Sequence, residues 1–179
     1  ICMKQFTPRD KAILCGLFLS KYDNKALNTL GFTTFKEAYN VLGISIESKP
    51  ASIKNYRDEF DPFFPNDRMG WHKREIRDYC AKLMNKYSNY DCSSLAGLIM
   101  QIVGTKLPPS IEKGEQDLDI GSFAKRATTG KAAENFFKEN FRLEDIFKTC
   151  NLIDMTYTGC GYDFKLNDNN GRDYSLIHI

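Results

Sequence analysis

Hydrophobic residues recur at helical spacing through most of the chain up to residue 104. The first such segment follows Thr7, has Pro8 at the first helical position, and keeps its apolar spacing to about Lys21. The second segment is marked at both ends, by Thr34 as the N-cap and by Gly43 as the C-cap. These signals predict two helices separated by a loop.

Three more helices are predicted before residue 104. The segment 51–60 has apolar residues on one face and is followed by Pro62, which cannot continue a helix. The segments 71–87 and 93–103 repeat the same helical spacing. The sequence therefore predicts that residues 1–104 form an all-helical domain.

The pattern changes over residues 105–129. Proline, glycine and acidic residues are frequent in this stretch, and the apolar periodicity is lost. Such a composition is typical of a connection between domains. We therefore predict a linker at 105–129.

Residues 130–179 show a different order of elements. A helical segment at 131–141 precedes three short strand-like runs, and the pair Asn170-Gly171 favours a tight hairpin between the last two. The prediction for the whole chain is an α+β fold, in which the helical domain is followed by an αβββ arrangement. The strand-like runs lie at 150–154, 162–166 and 173–179.

Charge and cysteine content exclude few functions. Lysine and arginine number 25 against 23 acidic residues, so any case for nucleic acid must rest on local patches rather than on the net charge of +2. The six cysteines contain no C-x-x-C pair, and no apolar run is long enough to cross a membrane. These observations predict a cytoplasmic protein without a membrane partner.

The helices predicted at 34–42 and 51–60 have the proportions of a helix-turn-helix, although the turn between them is longer than usual. In that motif the second helix enters the major groove of double-stranded DNA. Lys54, Asn55 and Arg57 are then candidate DNA contacts, because their donors match base edges and phosphates. The alternative interpretation is an ordinary helical hairpin with a solvated charged face.

The stretch 68–77 carries a local excess of basic residues beside Trp71. Lys73 and Arg74 are the candidate phosphate contacts in it. The alternative is that the tryptophan is buried and that the charges are merely solvated.

A third feature is Asp163 in the stretch 159–165, GCGYDFK, which precedes a predicted strand. Glycines allow a tight turn there, and the aspartate carboxylate can then face a cleft. An aspartate beside a turn more often bonds to nearby backbone N–H groups, so both interpretations stay open.

Residues 133–140 (AENFFKEN), 152–155 (LIDM) and the GCGYDFK stretch, followed by a hairpin, resemble the front of the restriction-endonuclease-like PD-(D/E)xK nuclease superfamily. Within it, the likeness is to the NO VEIN C-terminal-type domain. The resemblance implies that Asp163 ligates Mg²⁺ and that Glu134 completes or orients the catalytic site. It also implies a homodimer, as in many restriction-type nucleases.

The superfamily pattern continues into Glu-x-Lys on the next strand, which this sequence lacks. Either the chain stops before that motif, or His178 stands where the glutamate would be. The stretches 52–62 and 70–74 also resemble helical DNA-recognition modules that precede such nuclease domains.

Together these features predict a DNA-binding, restriction-endonuclease-type protein whose parent hydrolyses DNA phosphodiesters with Mg²⁺. Alone, this chain is expected to be nearly inactive. One competing hypothesis is a non-enzymatic DNA-binding or regulatory protein with a degenerate nuclease fold. Another is a protein-interaction module without a nucleic-acid role.

Overall fold

A computed structural model describes residues 6–104, 120–156, 158 and 160–179. The fold is mixed α+β, as predicted. The chain divides into two compact units, at Lys131 and Ala132. The described residues form six α-helices and one antiparallel sheet: α1 (Pro8–Leu30), α2 (Phe35–Ser45), α3 (Pro50–Phe60), α4 (Asp78–Tyr87), α5 (Cys92–Val103), α6 (Ile120–Asn140), β1 (Asn151–Asp154), β2 (Phe164–Asn167) and β3 (Asp173–Ile177).

The start of α1 matches the prediction, but its end does not. Thr7 caps the helix by accepting a hydrogen bond from the Asp10 amide at 3.2 Å. The helix continues to Leu30, well past Lys21, because the chain only kinks at Asp23, where φ is 45°. That positive φ interrupts the helical spacing, which is why the second part of α1 was missed.

The start of α2 is also as predicted, since Thr34 accepts a hydrogen bond from the Glu37 amide at 3.1 Å. The predicted C-cap at Gly43 is wrong, because the helix runs on to Ser45. A side chain at Gly43 would meet the Ser48 carbonyl oxygen at 2.9 Å. This glycine therefore lets the following turn lie close to the helix, and the connection to α3 shortens to residues 46–49.

The helix predicted from residue 71 begins only at Asp78. Residues 71–77 form a turn instead, and their amides bond outside any helix. The Trp71 amide donates to the Asp58 carbonyl at 2.8 Å, and the Arg77 amide donates to Glu59 at 2.9 Å. These tertiary hydrogen bonds override the helical spacing of the local sequence.

The core of the first unit forms around α1. This helix packs mainly against α3 and α5, and most of its residues from Ala12 to Ser20 are fully buried. From α3, Ile53 and Phe60 enter the same core. Burying each such side chain contributes about 1.5–3 kcal/mol, so α3 is held firmly on its inner face.

Part of the predicted linker is helical. Residues 105–119 lie outside the described residues, but 120–129 belong to α6. Within the first unit, Ser45 donates to the Thr128 carbonyl at 2.8 Å, and the Thr128 side chain is buried. The glycine content that predicted a linker is thus outweighed by packing.

In the second unit, α6 precedes an antiparallel sheet in the order β1-β2-β3, which is the predicted succession of one helix and three strands. Phe164 and Leu166 of β2 are fully buried, and the Phe137 ring of α6 lies 5.2 Å from the Phe164 ring. Gly171, with φ of 76°, turns the chain between β2 and β3. The succession alone does not test the nuclease core.

In the part of the chain that the structure describes, no helix combines the length and the apolarity needed to cross a membrane.

Candidate nucleic-acid interface

The outer side of α3 presents a narrow polar surface, which we call the α3 stripe and define as Ala51, Lys54, Asn55 and Asp58. Lys54 and Asn55 are exposed, so two of the predicted DNA contacts lie where a ligand can reach them. The Lys54 ammonium pairs with Asp58 at 3.2 Å, one helical turn away. An exposed pair of this kind is worth only about 0.3–0.5 kcal/mol, so Lys54 remains free to exchange partners.

Arg57 is not on the predicted DNA-contacting face. Its guanidinium donates to the Tyr39 hydroxyl at 2.5 Å and to Asp23 at 3.1 Å, and it lies 3.4 Å from the centre of the Phe35 ring. Only 7% of its side chain is exposed. The reason is helical periodicity: Arg57 follows Ile53 by one turn and therefore shares the buried face of α3.

Arg57 belongs to a polar network that fixes the kink of α1. One oxygen of Asp23 accepts hydrogen bonds from both Arg57 and Arg68, the latter at 2.6 Å. Arg68 also forms two bonds to Asp61, at 2.7 and 2.9 Å, and Ser20 donates to the same carboxylate at 2.6 Å. The network thereby ties α1, the end of α3 and the segment after it together.

The segment 68–77, here called the clamped loop, is anchored at both ends by arginine–carboxylate pairs. Arg68 binds Asp61, and Arg77 binds Glu59 through its backbone amide and its guanidinium. Both carboxylates are 1% exposed. Removing one partner of such a pair leaves an uncompensated buried charge, which costs about 3–5 kcal/mol.

A third anchor lies inside the clamped loop. The Trp71 amide donates to the Asp58 carbonyl at 2.8 Å, and the preceding Gly70 has φ of 50°. A side chain at Gly70 would meet the same carbonyl oxygen at 2.5 Å and the Asp61 side chain at 2.6 Å. Glycine is therefore required both by conformation and by the close approach of the clamped loop to α3.

We expect Gly70→Ala to lower the free energy of unfolding by about 2–4 kcal/mol, measured by urea denaturation. Gly104 provides the matched control, since it also has a positive φ, of 87°, but no atom lies within 4 Å of its added side chain. Gly104→Ala should cost only about 1–2 kcal/mol, from conformation alone. Equal losses in the two variants would show that the loop does not need this close approach.

The tip of the clamped loop, residues 72–75, is exposed. The Arg74 guanidinium lies 3.8 Å from the centre of the Trp71 ring, while Lys73 extends from the same turn. Over the described ranges, neither Lys73 nor Arg74 has a carboxylate within ion-pair distance. Because Trp71 is bonded to Asp58, these two cations and the α3 stripe form one continuous surface.

Sequence analysis missed several residues at this surface. Arg77 lies 5.1 Å from the Tyr56 ring, 5.0 Å from Tyr79 and 5.8 Å from Trp71. Arg9, from the first turn of α1, lies 5.5 Å from the Tyr79 ring. Guanidinium groups over aromatic faces are favourable contacts. Because these residues come from four separate segments, no spacing in the sequence brings them together.

The buried pair Glu59–Arg77 is held in its charged form. Burial by itself raises the pKa of Glu59, but hydrogen bonds from Arg77 outweigh it and leave that pKa below its usual value. The same hydrogen bonds raise the pKa of Arg77. The clamp therefore persists throughout the neutral range.

A carboxyl group whose pKa is lowered by folding stabilises the protein above its unfolded pKa, about 4.3 for glutamate, and this contribution is lost as the pH falls below it. We therefore expect the urea midpoint of the protein to drop between pH 5 and pH 3. In the double variant Glu59→Gln/Arg77→Gln the drop should be smaller. An identical pH profile would show that this pair does not contribute.

The residues predicted for metal binding lie in the second unit. Asp163 stands just before β2, and one of its oxygens accepts hydrogen bonds from His178 Nδ1 at 3.0 Å and from the Ile179 amide at 2.8 Å. Glu134 is half-buried on α6. Among the residues with described positions, no group of three or more His, Cys, Asp or Glu could hold a metal ion.

This donor set does not fit Mg²⁺, which needs several oxygen ligands in near-octahedral geometry. One carboxylate already bonded to a histidine and a backbone amide is too little, so we derive no catalytic step through a metal. The Mg²⁺ site at Asp163 and Glu134 stays a prediction that rests on the resemblance.

Comparison of the chain with protein-family models, with curated protein sequences and with solved structures finds no match. The case for a function therefore rests on the geometry of the surface.

Proposed function

We propose that the helical unit binds double-stranded DNA through the α3 stripe and the tip of the clamped loop. The observation that carries the proposal is the contrast within this loop. Its terminal arginines, Arg68 and Arg77, are neutralised by buried carboxylates, whereas Lys73 and Arg74 at the tip have no such partner among the described residues. The chain thus spends two charges on holding two others at the surface.

Rigid display favours binding. A flexible loop loses conformational entropy when it binds, about 0.5–1.5 kcal/mol for each long side chain that becomes fixed. The clamped loop has already lost much of its backbone freedom through the anchors at Arg68, Trp71 and Arg77. Phosphate contacts by Lys73 and Arg74 therefore cost less than they would from a mobile segment.

The α3 stripe supplies the groups suited to base edges. Asn55 can bond to adenine in the major groove, and Lys54 can reach guanine or a phosphate. Arg57 takes no part because it is buried. This division, with the loop on the backbone and the helix toward the bases, is the usual one in DNA-binding proteins.

The number of unpaired cations sets the expected salt dependence. Arg9, Lys73 and Arg74 are exposed, and Lys54 has only its weak pair with Asp58. Each neutralised phosphate contributes a slope of about −0.9 to the plot of log affinity against log salt. A slope of roughly −3 to −4 is therefore expected for the helical unit.

For the second unit we keep two candidate roles. The intact parent of a restriction-type nuclease would hydrolyse phosphodiesters, as the resemblance implies. The alternative, a non-enzymatic DNA-binding or regulatory protein, is supported by the bond between Asp163 and His178, which occupies a carboxylate that Mg²⁺ would need.

Both proposals are tested by one titration series. The chain is titrated with a labelled duplex in EDTA over a range of salt concentrations, and Mg²⁺ is then added to look for cleavage. We expect salt-sensitive binding and no cleavage. Absence of binding at low salt would refute the DNA proposal, and cleavage that disappears in Asp163→Asn would show that the metal site is complete after all.

A further inference from the structure

Arg77 differs from the other cations of the surface because its charge is already compensated. Its guanidinium pairs with Glu59, and the Nε atom donates to both carboxylate oxygens, at 3.1 and 2.9 Å. Glu59 is buried, so this pair is shielded from competing ions. A phosphate could gain Arg77 only by leaving Glu59 unpaired in the protein interior, which is strongly unfavourable.

Arg77 is also placed to support the ring on which Arg74 rests. The Trp71 ring lies 3.8 Å from the Arg74 guanidinium and 5.8 Å from that of Arg77. Tyr56 and Tyr79 complete the aromatic surroundings of Arg77, at 5.1 and 5.0 Å. Through these contacts the position of Arg77 determines where Trp71 can lie.

The backbone adds a further constraint. Arg77 is the N-cap residue of α4, and its own amide donates to Glu59 at 2.9 Å. The buried carboxylate therefore fixes the main chain and the side chain of the same residue. The direction in which the clamped loop enters α4 is set at this point.

We propose that Arg77 is a positioning residue of the DNA-binding surface, which holds Trp71 and thereby orients Arg74 toward a phosphate, while making no phosphate contact itself. The inference rests on the proposed function. It assigns different roles to two arginines of the same loop, and this difference can be measured.

The first test compares salt slopes for duplex binding. Arg74→Gln should reduce the slope by about 0.9, the value for one lost phosphate contact. Glu59→Gln/Arg77→Gln removes the buried pair without leaving a lone buried charge, and it should lower affinity about tenfold while leaving the slope unchanged. Arg77→Lys keeps the charge but not the planar fork, so it should behave like the double variant.

The second test needs no DNA. Trp71 is the single tryptophan of the chain, so its fluorescence reports this site alone. Acrylamide quenching should increase in Arg77→Lys and in the Glu59→Gln/Arg77→Gln variant, and should stay at the wild-type level in Lys25→Gln, near the other end of α1.

The outcomes separate the inference from the proposed function. A slope that falls by about 0.9 in the Glu59→Gln/Arg77→Gln variant would make Arg77 a phosphate contact and overturn the inference. Unchanged quenching of Trp71 in both Arg77 variants would overturn it as well. If wild-type protein binds no duplex, the proposed function fails, and increased quenching would still support the positioning of Trp71 by Arg77.

Discussion

Replacing Lys73 and Arg74 together by glutamine is expected to weaken binding to duplex DNA by roughly 10- to 100-fold at low salt. Both side chains project from the exposed tip of the clamped loop, and neither has a carboxylate partner among residues 6–104 and 120–156. Two lost phosphate contacts should also reduce the salt slope by about 1.8. Fluorescence anisotropy with a labelled duplex, repeated at several salt concentrations, measures both quantities.

The control for this variant is Lys25→Gln/Lys86→Gln, which makes the same change in net charge. Arg9 lies over Tyr79 at the start of α1 and α4, whereas Lys25 and Lys86 lie toward the other ends of these helices and are exposed. The control should bind nearly as well as wild type. Equal losses in the two variants would mean that the protein responds to overall charge and has no local binding surface.

Arg57→Ala is expected to lower the free energy of unfolding by about 3–5 kcal/mol, whereas Lys54→Ala should change it by less than about 0.5 kcal/mol. The two residues are neighbours on α3 and were both predicted to contact DNA. Arg57 is buried against Phe35 and bonded to Tyr39. The Lys54 side chain is 59% exposed and makes only a surface pair.

Urea denaturation followed by circular dichroism measures these free energies, and DNA titration of the same two variants completes the comparison. Lys54→Ala should reduce affinity while leaving stability intact. If instead Arg57→Ala is as stable as wild type and loses DNA binding, Arg57 belongs on the contact surface as the sequence first indicated, and the buried network around Asp23 is wrong.

The features that could be predicted from sequence depend on short-range interactions. Thr7 and Thr34 form their capping bonds within the first turn of the helix that each begins. The strand-like runs after residue 150 and the hairpin at Gly171 also depend on nearby residues. Such signals survive folding because they do not need a distant partner.

The features that were missed depend on tertiary contacts. Residues 71–77 have helical spacing, yet Trp71 and Arg77 bond to Asp58 and Glu59 instead of continuing a helix. Gly43 resembles a C-cap, although its role is to admit the backbone of the turn that follows. Neither partner can be identified from the local pattern.

The candidate site was predictable to a similar degree. Lys73 and Arg74 could be proposed because basic residues cluster beside a tryptophan in one short stretch. Arg57 was misplaced although the sequence contained the correction, since Ile53, Arg57 and Phe60 share one helical face. Arg9, Tyr56 and Tyr79 join the surface only through folding.

Hydrogen–deuterium exchange of the chain with and without a saturating duplex, in EDTA, tests most directly whether the clamped loop and the α3 stripe bind DNA. We expect added protection at residues 71–75 and in the first turns of α3, and little change in α5. Protection confined to other segments, or none at a concentration where the duplex is bound, would contradict the proposed interface.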